Sequence, residues 1–136
     1  MTERTWQSPF RPRGMVLTLL ATVCVLGLTH IPQSSVPRVF QVNGLDKLQH
    51  VVAYGLIAGL FLRSLRTPAH PAVLVLGFVV LAAIGALDEL TQPWVNRTAS
   101  VLDYLSDLAG VAIAYLVFSM RAISARKAAW QRGQSD

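Results

Sequence analysis

Ionisable side chains within the apolar part of this chain fall into three clusters, each at one end of a hydrophobic segment. One segment begins at Asp46 and His50, the next ends at Asp88 and Glu89, and the last begins at Asp103 and Asp107. Charge inside a bilayer is costly and marks function more often than architecture. If these segments are membrane helices that run in alternating directions, the three clusters meet at one face of the membrane.

The residue types in these clusters could support three kinds of chemistry. A neutral His50 could act as a general acid or base, with Asp46 or Asp107 orienting its ring. Arg97 and Lys47 could hold the oxygens of a phosphate or pyrophosphate, Arg97 through its bidentate fork and Lys47 as a point charge. The carboxylates and His50 could instead hold a divalent cation. No H-E-x-x-H or Cys-rich spacing specifies zinc, so the metal and any cofactor stay unknown at this point.

Helical spacing places these side chains on shared faces. Asp46, His50 and Tyr54 are four residues apart, and Glu89 and Gln92 are i, i+3 neighbours. In the enzymatic interpretation Glu89 is a second carboxylate or a metal ligand. The alternative is a polar network that cross-links three helices and binds nothing. The candidate catalytic residues are therefore His50, Asp46, Glu89 and Asp107, and the candidate ligand-binding residues are Lys47, Arg97, Gln92, Asp103 and Tyr54.

The elements that must position these residues are predicted from composition. The chain is 53% hydrophobic and 14% charged, with a mean hydropathy of +0.47, which is too apolar for a soluble domain of this size. Four apolar stretches are each long enough for a helix that crosses a hydrocarbon core of about 30 Å. We therefore predict an all-α membrane domain over 15–120, a four-helix bundle with helices at about 15–31, 45–62, 72–92 and 100–120. It is flanked by tails at 1–14 and 121–136.

The basic residues predict the orientation of this bundle. Nine of the twelve Lys and Arg residues lie in the two tails and the connection at 63–71, and three lie in the other two connections. The positive-inside rule then gives an inner-membrane protein with both termini cytoplasmic and the polar clusters on the outer side. The net charge of +5 is split among tails and a loop, so we expect no nucleic-acid partner. A cleaved signal peptide is the alternative for the first stretch, but small residues at a cleavage site are missing.

Two local patterns bear on helix contacts and helix ends. Gly55 and Gly59 form a G-x-x-x-G motif, and Gly110 begins a similar small-residue pair in the last helix, so close helix contacts are expected. Ser100, with Asp103 three residues later, is typical of an N-terminal cap and predicts where the fourth helix starts.

Taken in chain order, the polar positions are Asp46-Lys47-x-x-His50, Tyr54, Glu89-x-x-Gln92, Arg97 and Asp103-x-x-x-Asp107-x-x-Gly110. This ordered set resembles the VanZ-like family of small bacterial membrane proteins, over about half of the chain. The position of Asp107 is often asparagine in that family, so this chain carries an additional negative charge there. The resemblance implies a role in the cell envelope and does not imply a reaction.

Three functional interpretations follow. The first is a polar site at the outer leaflet that binds, and in its enzymatic version modifies, an anionic lipid-linked or envelope molecule. The second is a non-catalytic accessory subunit that docks a membrane protein partner through its small-residue faces. The third is a component of a proton-coupled transporter with His50 and the carboxylates as a relay, for which four short helices leave little room.

Overall fold

The computed structural model describes residues 8–36, 44–66 and 69–134. In these ranges the chain is helical, and the only β-type pairing is an isolated bridge between Phe10 and Leu65. The α-helices are α1 (Pro12–Thr29), α2 (Leu45–Ser64), α3 (Pro71–Thr91) and α4 (Val101–Arg132), with short 3₁₀-helices at Gln33–Ser35 and Gln92–Val95. The prediction of an all-α fold with four long helices is confirmed.

All four helices are long and apolar enough to cross a membrane. Large apolar side chains cover their outer surfaces; Leu19, Leu76 and Leu116 are 64, 63 and 61% exposed. Exposure of this kind along every helix is unfavourable in water and suits contact with lipid chains. The chain therefore has the architecture of a multi-pass membrane protein.

The helix ends differ from the predicted boundaries, most of all in α4. The apolar stretch ends near 120, whereas α4 continues to Arg132 and is capped by Gly133. Residues 121–132 lack Gly and Pro and are rich in Ala, Arg and Lys, which favour helix. Much of the predicted basic tail is thus an extension of α4. The prediction missed this because an apolar stretch shows which part of a helix can lie in the membrane, and a helix can continue beyond it. At the other terminus, Pro12 begins α1 inside the predicted N-terminal tail.

The closest helix pair is α2 with α4. Gly110 lies against α2 so tightly that an added Cβ would collide with the carbonyl oxygen of Val51 and lie 2.9 Å from the amide nitrogen of Gly55. Helix α2 also packs against α1, and α3 packs against both α4 and α2. The small residues at 55 and 110 are therefore used inside the chain, while an added Cβ at Gly59 would meet no atom within 4 Å.

One end of the bundle, where α1 and α3 end and α2 and α4 begin, is called the polar end below. Asn96, in the left-handed conformation (φ 55°), lies in the short connection from α3 to α4. The Ser100 side chain accepts a hydrogen bond from the Asp103 amide at 3.3 Å, so the predicted cap of the fourth helix is confirmed. These features bring the ends of α3 and α4 together beside the start of α2.

Candidate functional site

Four ionisable side chains are buried together at the polar end. His50 on α2, Asp88 and Glu89 on α3 and Asp107 on α4 each offer one nitrogen or oxygen atom, and these atoms lie within 4.8 Å of one another. Their exposed fractions are 5, 1, 6 and 1% in the same order. We call these residues the carboxylate–histidine cluster. The three polar clusters expected to meet at one face each contribute at least one residue to this buried group.

The central pair of the cluster joins α2 to α4. Nδ1 of His50 lies 2.8 Å from Oδ1 of Asp107, so the ring donates a hydrogen bond to that carboxylate. The same nitrogen lies 4.0 Å from Oε1 of Glu89. Close contact of α2 and α4 around Gly110, one turn deeper, holds the two side chains in reach. Of the two aspartates proposed to orient His50, the structure selects Asp107.

One oxygen of Asp107 has no hydrogen-bond partner among the described residues although it is buried. This atom, Oδ2, faces α3, where an added Cβ at Gly85 would lie 3.3 Å away. Asp88 and Glu89 come one turn later on the same helix. The unpaired oxygen therefore points toward the helix face that carries the other two carboxylates, and a buried acceptor without a partner costs about 1–3 kcal/mol.

Glu89 is fully satisfied, in contrast to Asp107. Its Oε1 accepts a hydrogen bond from Nε2 of Gln92 at 2.8 Å, and its Oε2 accepts one from the Ser100 amide at 2.8 Å. Gln92, predicted to bind ligand, is 1% exposed and serves to hold Glu89 in place.

Asp88, and the two residues at the end of α1 that contact it, were not among the site residues predicted from the sequence. Oδ1 of Asp88 accepts a hydrogen bond from Oγ1 of Thr29 at 2.6 Å, and Nδ1 of His30 lies 3.3 Å from it. Oδ2 accepts a hydrogen bond from the hydroxyl of Tyr54 at 3.3 Å. Tyr54 was predicted to bind ligand, but it is fully buried and holds Asp88. The sequence did contain a pattern that could have predicted this contact. Thr29 and His30 are polar residues near the end of the first apolar stretch, on the side where the other polar clusters lie.

The residues at the rim of the polar end form a separate ion-pair group. Nζ of Lys47 lies 2.9 Å from Oδ2 of Asp46 and 3.1 Å from Oδ1 of Asp103. The side chains of Lys47 and Asp46 are 36 and 42% exposed. Asp46, predicted to be catalytic because it is four residues from His50, is therefore drawn to Lys47 at the surface and is not part of the cluster. Lys47, predicted to bind an anion, is neutralised by two carboxylates.

Arg97 lies in the connection between α3 and α4, partly buried, and its backbone amide donates to the Gln92 carbonyl at 3.2 Å. Within 8–36, 44–66 and 69–134 its guanidinium makes no hydrogen bond or ion pair. An arginine of this kind can receive an anion from outside the chain.

An apolar groove of about 610 Å³ runs between α1 and α3 up to the polar end. Its volume is within the range of about 300–1,000 Å³ that is usual for small-molecule sites. Its apolar lining includes Leu26, Ile84, Leu87 and Trp94, and its polar lining includes His30 and Thr91. The surface of the groove is almost entirely apolar, so the groove suits an apolar chain that lies beside the polar end.

The whole arrangement offers an acid–base pair (His50 and Asp107), a set of carboxylates able to ligate a cation, a lipid-facing groove between α1 and α3, and an arginine in the connection between α3 and α4. No model of a known protein family matches the chain, and no curated protein or solved structure matches it either. The proposal of a function therefore rests on the geometry of the polar end.

Proposed function

We propose that the polar end binds an anionic lipid-linked or envelope molecule, with its apolar part in the groove and its charged part at the rim. The groove between α1 and α3 carries this proposal, because it connects lipid-facing side chains to the polar end. A ligand that enters from the bilayer needs such a lateral opening. In the enzymatic version, His50 takes a proton from the bound molecule or gives one to it, and Asp107 orients the ring of His50.

The charge distribution assigns the anion to Arg97. The carboxylate–histidine cluster is too rich in negative charge to take a phosphate directly, and Lys47 is already paired with Asp46 and Asp103. Arg97 follows Trp94, which lines the groove, by three residues in the sequence. It would neutralise the charged part of the ligand by a bidentate contact.

The proposal includes an inner-membrane location with both termini in the cytoplasm. Four spans return the chain to the side on which it began, and most basic residues lie away from the polar end. The polar end would then open to the outer leaflet. The resemblance to the VanZ-like family supports the same cell-envelope setting.

Native mass spectrometry of the protein, released gently from its own membrane, tests the proposal. The wild type should retain an anionic amphiphile, and Arg97→Ala should lose it. Because Arg97 has no described side-chain partner, this variant should remain folded. Arg63→Ala is the matched control, since Arg63 is exposed at the opposite end of α2 and its loss should leave the ligand bound.

A second pair of variants tests the groove itself. Gly27 lines the groove, and an added Cβ there would meet no atom within 4 Å. Gly27→Leu should fill the groove without a clash and displace the ligand. Gly59→Leu, at a glycine that is equally open but outside the groove, should leave the ligand in place. If all forms carry no ligand, or all carry the same protein partner, the proposal is wrong and an accessory subunit becomes the better interpretation.

A further inference from the structure

Beyond the proposed function, we infer that the carboxylate–histidine cluster is a binding site for one divalent transition-metal cation of the Mn²⁺ or Zn²⁺ class. His50, Asp88, Glu89 and Asp107 each direct a ligand atom into one small volume, with separations of at most 4.8 Å. Nitrogen and oxygen ligands lie about 2.0–2.2 Å from a tetrahedral zinc ion, so they are about 3.3–3.6 Å apart. Side-chain movements of about 1 Å close the difference. If Nδ1 of His50 is the ligand atom, the proton that it now donates to Asp107 leaves when the metal binds.

The unpaired oxygen of Asp107 points independently to a ligand. Asp107 is 1% exposed, and its Oδ2 has no partner among the described residues while it faces the α3 surface that carries Asp88 and Glu89. Buried carboxylate oxygens are normally satisfied by donors or cations. A cation between α3 and α4 would satisfy this oxygen without any change of helix position.

The balance of charge also favours a cation. Asp88, Glu89 and Asp107 bring three carboxylates into a buried volume, and the ion pairs that reach them come from His30 and His50. Lys47 is engaged at the rim by Asp46 and Asp103. Charge of this density inside a membrane bundle is neutralised either by a bound cation or by shared protons. A divalent ion would offset two of the negative charges at once.

The ligand types and their supports indicate the class of ion. Carboxylates with one imidazole suit manganese and zinc, whereas magnesium and calcium prefer oxygen ligands alone. Hydrogen bonds from outside the set hold the ligands: Gln92 and Ser100 orient Glu89, and Thr29 and Tyr54 orient Asp88. Such outer contacts commonly support metal ligands and help to set affinity.

The test uses the full chain in a neutral detergent, stripped of metal with a chelator and titrated with Mn²⁺ under electron paramagnetic resonance. The wild type should bind one Mn²⁺ per chain, lose it to Zn²⁺ and keep it in excess Mg²⁺. The bound signal should show nitrogen coupling from His50, which persists in His30→Gln and disappears in His50→Gln. Absence of bound Mn²⁺, or of nitrogen coupling in the wild type, would overturn the inference.

Two carboxylate variants place the ion in the cluster. Asp107→Asn should weaken Mn²⁺ binding by about tenfold or more, in line with the cost of disturbing metal ligands. Asp46→Asn, which changes a rim carboxylate outside the cluster, should bind like the wild type. Equal losses in both variants would place the metal at the rim and refute the site. If Asp107→Asn does not fold, the presence or absence of nitrogen coupling in the wild type decides whether the cluster binds the metal. The Mn²⁺ titration uses no added lipid ligand. A failure to bind Mn²⁺ would therefore leave the proposed binding of an anionic amphiphile untouched, because native mass spectrometry tests that separately.

Discussion

Two carboxylates of the buried cluster, Glu89 and Asp107, differ in how fully their oxygens are hydrogen-bonded. Both oxygens of Glu89 accept good hydrogen bonds, from Gln92 and from the Ser100 amide. Asp107 uses only one oxygen, toward His50, and leaves the other unpaired among the described residues. Two carboxylates of the same buried cluster therefore contribute differently to stability.

Glu89→Gln should destabilise the protein. One carboxylate oxygen becomes an NH₂ group, so either Gln92 or the Ser100 amide faces a donor and loses its bond. We expect a loss of about 1–3 kcal/mol in the free energy of unfolding, measured by denaturant titration in micelles. Asp46→Asn at the rim is the control and should change it by no more than about 0.5 kcal/mol. Equal effects would show that Glu89 is not a structural anchor.

Helical spacing predicted which faces of α2, α3 and α4 would meet, and His50, Glu89 and Asp107 do meet. It left Asp88 out of the candidate site, because Asp88 is one residue, or about 100°, away from the line through Glu89 and Gln92. Asp88 and Glu89 are both buried, because α1 covers the side of α3 on which Thr29 and His30 contact Asp88. That contact depends on tertiary packing between helices, which spacing within one helix does not encode.

At the level of elements, the contact between α2 and α4 sets the geometry of the cluster. Gly110 is the position that permits this contact, because any side chain would meet the backbone of Val51 and Gly55. Gly59, four residues after Gly55, belongs to the same sequence motif but has no such neighbour. The motif predicted close contact correctly, and only the three-dimensional arrangement shows which glycine requires it.

Gly110→Ala should therefore separate α2 from α4. Overpacking of this kind costs about 1–3 kcal/mol, and because the obstacle is backbone we expect the upper part of that range. Thermal unfolding in micelles, followed by circular dichroism, measures the loss. Gly59→Ala is the matched control and should be neutral or slightly stabilising, since alanine favours helix. A neutral Gly110→Ala would contradict the close contact.

The existence and number of the helices could be predicted from the sequence, since length and apolar composition suffice for a membrane span. Their ends could be predicted only where a cap or a proline marks them, as at Ser100 and Pro71. The end of α4 was missed because the boundary was placed where the apolar stretch ends, whereas residues 121–132 are polar yet good helix formers. The predicted orientation and the resemblance to the VanZ-like family stay predictions.

For the whole molecule, orientation decides which leaflet supplies the ligand. The exposed positions Ser8 and Gln134 flank the bundle near the two termini, and exposed Thr98 lies at the polar end. Single cysteines at these sites, in a Cys24→Ser background, can be labelled in intact cells with a membrane-impermeant maleimide. We expect Thr98→Cys to react at once, and Ser8→Cys and Gln134→Cys to react only after permeabilisation. The opposite pattern would place the polar end in the cytoplasm.

The central claim is that Asp107, in the buried cluster at the polar end, is placed for an occupant and not for stability. The free energy of unfolding of Asp107→Asn, compared with the wild type in the presence of a chelator, tests this most directly. Asparagine keeps an oxygen for His50 and removes one of three crowded charges, so the account predicts an unchanged or higher value. A loss of about 3–5 kcal/mol, as when a buried ion pair is broken, would show that this carboxylate serves the fold and would contradict the account.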